Sequence, residues 1–97
     1  MRSEAASGSI TATMQITFKL YASLTDFLPP AHRRGNQMPL EVPADATIAT
    51  IIEPFKLPMK MVHLVLINGT YVAPEDRATR TLVDGDVLAI WPPIAGG

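Results

Sequence analysis

The readable pattern of the chain begins with alternation. Met14, Ile16, Phe18 and Leu20 interleave with Gln15, Thr17, Lys19 and Tyr21, so a strand over 14–21 buries one face. Leu24, Phe27 and Leu28 then fall at helical spacing, but Pro29-Pro30 stops that run after a turn or two. Residues 29–38 read as a polar loop in which Arg33 and Arg34 form a small, solvated basic spot. Pro39 to Val42 is a short second strand, antiparallel to the first. Pro43 to Thr47 leads into a helix, with Asp45 or Thr47 able to accept a hydrogen bond from a free N–H of its first turn. Ile48, Ile51, Ile52 and Phe55 follow at i, i+3, i+4 and i+7, the stripe of a helix packed on a sheet. Pro54 would clash with the turn before it, so the expected helix covers 47–53 with a loosened turn to Leu57.

The run Val62 to Ile67 is almost wholly apolar, as a central strand would be. Asn68-Gly69 is a hairpin signal, because both central residues of a type I′ turn need positive φ. Tyr71-Val72 gives a weak return strand, and Pro74 to Arg80 a charged loop. Leu82 packs back before the Asp84-Gly85-Asp86 turn, and Val87 to Trp91 is the final strand. The first and last strands, both strong and apolar, belong side by side as a parallel pair at the sheet's centre. That layout is α+β, a β-grasp (ubiquitin-like) fold: a mixed sheet of four to five strands with one main helix across one face. The expected organisation is a disordered extension over 1–12, the domain over 13–93 and a flexible tail over 94–97.

Composition narrows the possibilities. The chain has 97 residues, 47% of them hydrophobic, and a formal net charge of −1, enough for one modest core. Near-zero charge makes no case for nucleic acid or membrane binding. Cysteine is absent, which removes disulfides, thiol nucleophiles and thiolate metal sites. Apolar runs fall far short of a membrane span, and the first residues lack the apolar core of a signal peptide, so a cytoplasmic location is expected. His32 and His63 are far apart, and His63 reads as an ordinary sheet histidine. Asp84 and Asp86 flank a glycine as in a metal loop, but Leu88 and Ile90 occupy the positions where further ligands belong. No glycine-rich phosphate loop is present, so any nucleotide would be bound by another protein. No bound cofactor or metal is expected.

The chemistry concentrates in the last seven residues, Trp91-Pro92-Pro93-Ile94-Ala95-Gly96-Gly97. Each proline fixes its φ and biases its predecessor toward extension, so the chain leaves the strand as a stiff stalk. The six residues after Trp91 reach about 18–20 Å when extended. Gly96 and Gly97 carry no Cβ, so the tip suits a narrow channel. The strand behind the stalk sends Leu88 and Ile90 toward the helix and Val87, Ala89 and Trp91 outward. With Leu64 and Leu66, that outward row has the composition of a docking patch. Trp91 as a local lid on the core is the competing reading.

Three stretches together resemble the MoaD/ThiS sulfur carriers: Phe18-Lys19-Leu20-Tyr21-Ala22-Ser23-Leu24, Leu66-Ile67-Asn68-Gly69, and Asp84 through Gly97. The likeness covers about residues 14–97. Its Pro-Pro before the tail is similar to the small subunit of molybdopterin synthase. The resemblance implies that a ubiquitin-activating-type adenylyltransferase uses ATP to convert the Gly97 carboxylate to an acyl-adenylate. A persulfide sulfur then displaces AMP, and the Gly97 thiocarboxylate carries sulfur to an acceptor enzyme such as the molybdopterin synthase large subunit. Gly96 and Gly97 would be the reacting tip, and Trp91, Pro92, Pro93 and Ile94 would join the partner-binding surface. A carrier for thiamine thiazole or another metabolite, a ubiquitin-like modifier of protein lysines, and a simple interaction module remain alternatives.

Overall fold

The computed structural model of the chain describes residues 12–93. Its strands are β1 (Thr13–Leu20), β2 (Gln37–Pro43), β3 (Leu64–Ile67), β4 (Thr70–Tyr71) and β5 (Val87–Trp91), with helices α1 (Pro30–Arg33) and α2 (Ile48–Ile52). They form one five-stranded sheet in the order β2-β1-β5-β3-β4. β1 and β5 run parallel, from Thr17↔Val87 to Leu20↔Ile90, and every other neighbouring pair is antiparallel. This is the mixed β-grasp sheet that the alternation and the strong terminal strands predicted.

One face of the sheet holds the core. Met14, Ile16, Phe18 and Leu20 of β1, Val65 and Ile67 of β3, and Leu88 and Ile90 of β5 are all buried on that face. Above them lies α2, whose Ile48, Ile51 and Ile52 are buried. Phe55, just past α2, sets its ring 4.5 Å from that of Phe18. Each isoleucine so buried contributes about 1.5–3 kcal/mol. Thr47 starts the helix: its Oγ1 accepts from the Thr50 N–H while the Thr50 hydroxyl oxygen accepts from the Thr47 N–H, a reciprocal cap. Pro54 ends the α-helical ladder at Ile52, and the chain continues as a 3-10 turn over Glu53–Phe55.

Two expectations need correction. Residues 29–38 are not a simple loop: α1 occupies Pro30–Arg33 and β2 starts at Gln37. Pro30 sits at the first helical position, where its missing N–H leaves nothing unsatisfied. The strand expected over 62–67 is shorter, because a 3-10 turn at Met59–Met61 delays entry into β3 until Leu64.

Pro39 and Pro43 lie inside β2 without breaking it. The bonds Ala44 N–H to Ala12 O and Leu20 N–H to Asn36 O, with the register between them, point the even-numbered residues of β2 at β1. The prolines therefore fall on positions facing away from the sheet, where no ladder donor is lost. They also remove donors from an open edge that would otherwise invite another strand.

The two ends of the sheet differ. At one end Asn68 and Gly69 both take positive φ in the β3–β4 turn. There the Asn68 Nδ2 donates to Asp86 Oδ1, the Asn68 Oδ1 accepts from the Val87 N–H, and Asp86 Oδ2 accepts from the Val83 N–H. Asp84 Oδ1 accepts from the Gln15 N–H. The Asp-Gly-Asp carboxylates are thus engaged in holding the turn that feeds β5, which is backbone work of the kind short acidic side chains do well. The other end carries the last turn of β5 and the start of the tail. No helix among the described residues is long and apolar enough to cross a membrane.

Candidate functional site at the root of the tail

β5 lies between β1 and β3, so its last residues are gripped from both sides. The Tyr21 N–H donates to Ile90 O and the His63 N–H donates to Trp91 O, both at 3.1 Å. The chain is fixed one residue before Pro92. Pro92 itself is buried and Pro93 exposed, so the chain leaves the packed body at Pro93 and not at Trp91. From Pro93 to Gly97 an extended chain spans about 15–17 Å. Ile94, Gly96 and Gly97, the expected reacting tip and its approach, lie outside the described residues.

Trp91 is neither fully outward nor a lid on the core. It stands half-buried on the open face of the sheet, and its indole stacks on the Tyr21 ring at a centroid distance of 4.0 Å and an interplanar angle of 6°. Lys19 Nζ sits 5.8 Å from the centre of the same tyrosine ring, within range of a cation–π attraction. Leu64 lies directly across from Trp91, and Leu66 across from Ala89. Val87, Leu64 and Leu66 are half-buried on that face. Ala89, placed in the outward row by sequence, faces the same way but is only 7% exposed. Its short side chain sits in the middle of the sheet, in register with the longer Lys19 and Leu66 that overtop it. The apolar surface at the tail root is therefore built by Trp91, Leu64 and Leu66 with little help from Ala89.

Two aromatic members of this surface were missed. Tyr21 supplies the stacking partner, and Tyr71 extends the row beyond Leu66, in register with it and 53% exposed. The signal for Tyr21 was available: it lies two residues past Lys19 on the polar phase of β1, and the parallel β1–β5 pairing carries it to Trp91.

Arg77 was read as part of a charged loop, yet it is 8% exposed. Its Nη1 donates to Val62 O and its Nη2 to His63 O, each at 3.1 Å, while Nε and Nη2 share Val72 O at 3.3 Å. The guanidinium thus pins the residues that precede β3, including His63, whose own N–H holds Trp91. A fork of five donors can do this where an ammonium cannot. Nothing in the spacing of the sequence distinguishes Arg77 from Arg80, which is exposed. A groove of about 440 Å³ between α2 and the 59–62 segment reaches Arg77. A second, of about 500 Å³, lies between β2 and α2, at the sheet edge and not at the tail root. His63 is exposed beside Trp91. Among the described residues no three side chains of metal-ligating type converge.

Residues 13–95 match the family model described as Mut7-C ubiquitin. Among solved structures, the Haloferax volcanii HVO 2177 protein is 24% identical, with a TM-score of 0.67 and 88% of each chain covered. SAMP1 from Haloferax volcanii is 23% identical at a TM-score of 0.58, covering 86% of this chain and 99% of that one. A Pyrococcus furiosus protein provisionally described as molybdopterin converting factor, subunit 1, is 22% identical at 0.57, covering 84% and 99%. At such identities the likeness speaks to the fold, and the fold is ubiquitin-like. No curated relative matches the chain.

Proposed function

The chain belongs to the Mut7-C ubiquitin family, and from that premise we propose that it is a cytoplasmic sulfur carrier working through its C-terminal glycine. The observation that carries this reading is the position of β5. A central strand, held from both sides through Ile90 and Trp91, carries Pro92-Pro93 out beside a half-buried aromatic surface, and the sequence runs on from there to Gly96-Gly97. A solved structure with this fold being described as a molybdopterin converting factor subunit supports the same reading.

In the proposed sequence the Gly97 carboxylate oxygen attacks the α-phosphorus of ATP on a ubiquitin-activating-type adenylyltransferase, and pyrophosphate leaves. A persulfide on a sulfur donor attacks the acyl carbon of the adenylate and expels AMP. A second thiol on the donor cleaves the acyl disulfide so formed, releasing the Gly97 thiocarboxylate and leaving a disulfide on the donor. The thiocarboxylate sulfur is then a nucleophile for an acceptor enzyme, most simply the large subunit of molybdopterin synthase. The chain contributes the carboxylate, its reach and the docking surface of Trp91, Leu64, Leu66 and Val87. Gly96 lets the tip pass where a Cβ would not.

Intact mass is the test. After incubation with ATP, an activating enzyme and a sulfur donor, the chain should gain about 16 Da, the exchange of one oxygen for sulfur. A mass that stays unchanged while the enzyme activates a control carrier would overturn the reading. The second reading, a modifier joined to protein lysines, is favoured by the likeness to SAMP1, a small archaeal modifier protein. It would appear as chain-plus-target conjugates dependent on ATP and on Gly97.

A further inference from the structure

Arg77 is a buried cation held without an anion. Its hydrogen-bond partners among the described residues are all carbonyl oxygens, Val62 O, His63 O and Val72 O. These bonds occupy the Nε–H, one N–H of Nη1 and both of Nη2, and the two that share Val72 O are long at 3.3 Å. The second N–H of Nη1 has no acceptor among the described residues. Buried charges are ordinarily matched by a charge of opposite sign. The acids next to Arg77 in the chain, Glu75 and Asp76, are exposed and accept nothing from the guanidinium. Water screens them, whereas a group in contact with the buried guanidinium acts at a low dielectric.

The groove of about 440 Å³ between α2 and the 59–62 segment is lined by Arg77 together with the apolar Ile52, Leu57, Met59 and Val62. Glu53 and Lys56 also line it, both exposed and of opposite sign. They offset one another and leave the guanidinium as the unmatched charge. Small-molecule sites span roughly 300–1,000 Å³ and are built in the same way, from apolar walls and a few polar anchors. We propose that this groove binds a small aliphatic monocarboxylate, its head at the spare Arg77 N–H and its body along Ile52, Leu57 and Val62. One spare N–H, with the Lys56 ammonium on the same groove, suits the two oxygens of a carboxylate. A phosphate would bring further oxygens that apolar walls leave unpaired. The site is separate from the docking surface of Trp91 and does not depend on the carrier function. It does adjoin the support of the tail root, because Arg77 holds His63 O and the His63 N–H holds Trp91 O.

The test is an amide-shift titration of the full chain with hexanoate, and with hexanamide as its neutral counterpart. Hexanoate should shift the amides of Ile52, Leu57, Met59 and Val62 saturably and bind about tenfold more tightly than hexanamide, the factor expected of a hydrogen bond to a charged donor. Met59→Glu, at a side chain 73% exposed, should remove that advantage and leave hexanamide binding within about twofold. Arg77→Met should remove it as well, and where that chain melts below the assay temperature the Met59→Glu result decides. Equal binding of acid and amide would overturn the proposal, as would an advantage that Met59→Glu leaves intact. Shifts at Leu64, Leu66 and Trp91 in place of the groove would overturn it too. The full chain with its C-terminal carboxylate amidated separates the remaining source of the same chemistry. Unchanged hexanoate affinity supports a free acid as the ligand, and affinity about tenfold tighter would show the chain's own terminus to be the occupant and overturn it.

Discussion

Replacing Arg77 by Met tests the most specific packing claim made by this fold. Methionine keeps much of the volume and removes every donor. Val62 O, His63 O and Val72 O would then lose the guanidinium that satisfies them. A buried acceptor left without its donor costs roughly 1–3 kcal/mol. Two effects hold the total below the simple sum: the cost of burying the charge disappears, and the groove beside Arg77 admits water to part of the vacated site. The expected loss is about 2–4 kcal/mol, a large fraction of the stability of a small domain. In thermal melting this is a fall of roughly 10–30 °C for a chain of this size. Urea denaturation with an unchanged slope would confirm that the folded state, and not the unfolded one, was altered. Amide exchange gives a sharper reading, since the His63 N–H, which holds Trp91 O, should lose protection more than the β1–β2 ladder does. Lysine, a single ammonium in place of a fork, should recover only part of the loss. An Arg77→Met chain within about 0.5 kcal/mol of the wild type would refute the claim that the guanidinium holds this end of β3.

Other substitutions read separate features. Ile90→Ala, at a side chain with no exposure, should cost about 2–4 kcal/mol in denaturant melting by leaving a cavity under α2. Thr47→Ala removes the reciprocal cap and should cost about 1 kcal/mol in the same assay. Trp91→Ala should cost about 2–3 kcal/mol, the Tyr21 stack together with the apolar area the indole half-buries, and weaken binding to the activating and the acceptor enzyme by roughly 30-fold each in titration calorimetry. Gly96→Val should leave folding untouched while blocking ATP–pyrophosphate exchange, and undiminished exchange would show a channel wide enough for a branched Cβ.

Most of the architecture was legible because hydrophobic period and turn chemistry agreed. The alternation of Met14 to Leu20, the isoleucine stripe of α2 and the Asn68-Gly69 turn each have one physical solution, and each appears where the pattern puts it. The pairing of β1 with β5 followed from their shared apolar strength, and with it the parallel register. What escaped was set by tertiary geometry. Ala89 lies in the outward phase, but period two says only which way a side chain points, not whether longer neighbours cover it. Pro92 is buried where the chain on both sides of β5 stays hydrogen-bonded to it past the ends of β1 and β3, at Tyr21 and His63. Arg77 is buried because carbonyls from two segments, 62–63 and 72, converge on it, and no window of sequence contains that convergence. α1 was hidden by Pro29-Pro30, which read as a stop for the preceding turn while Pro30 was also the start of the next.

The position of the tail in the sheet bears on how such a carrier could work. A tail continuing from an edge strand would be held by one ladder, and fraying of a residue or two would lengthen it at little cost. β5 is held by β1 on one side and β3 on the other, so freeing Trp91 breaks the His63 bond and the Tyr21 stack, and freeing Ile90 as well breaks the Tyr21 N–H bond on the opposite side. The point of departure is therefore fixed at Pro93, from which a fully extended Pro93–Gly97 segment would span about 15–17 Å. On the carrier function proposed above, two enzymes that receive the same tip would have to place their reacting centres at the same depth behind the surface that meets Trp91. Under that proposal both would cover the one surface, so the chain would serve them only in turn and transfer between them would require release. Affinity at Trp91 has an upper limit for that reason: a surface that bound the first enzyme too tightly would hold the activated tip away from the second.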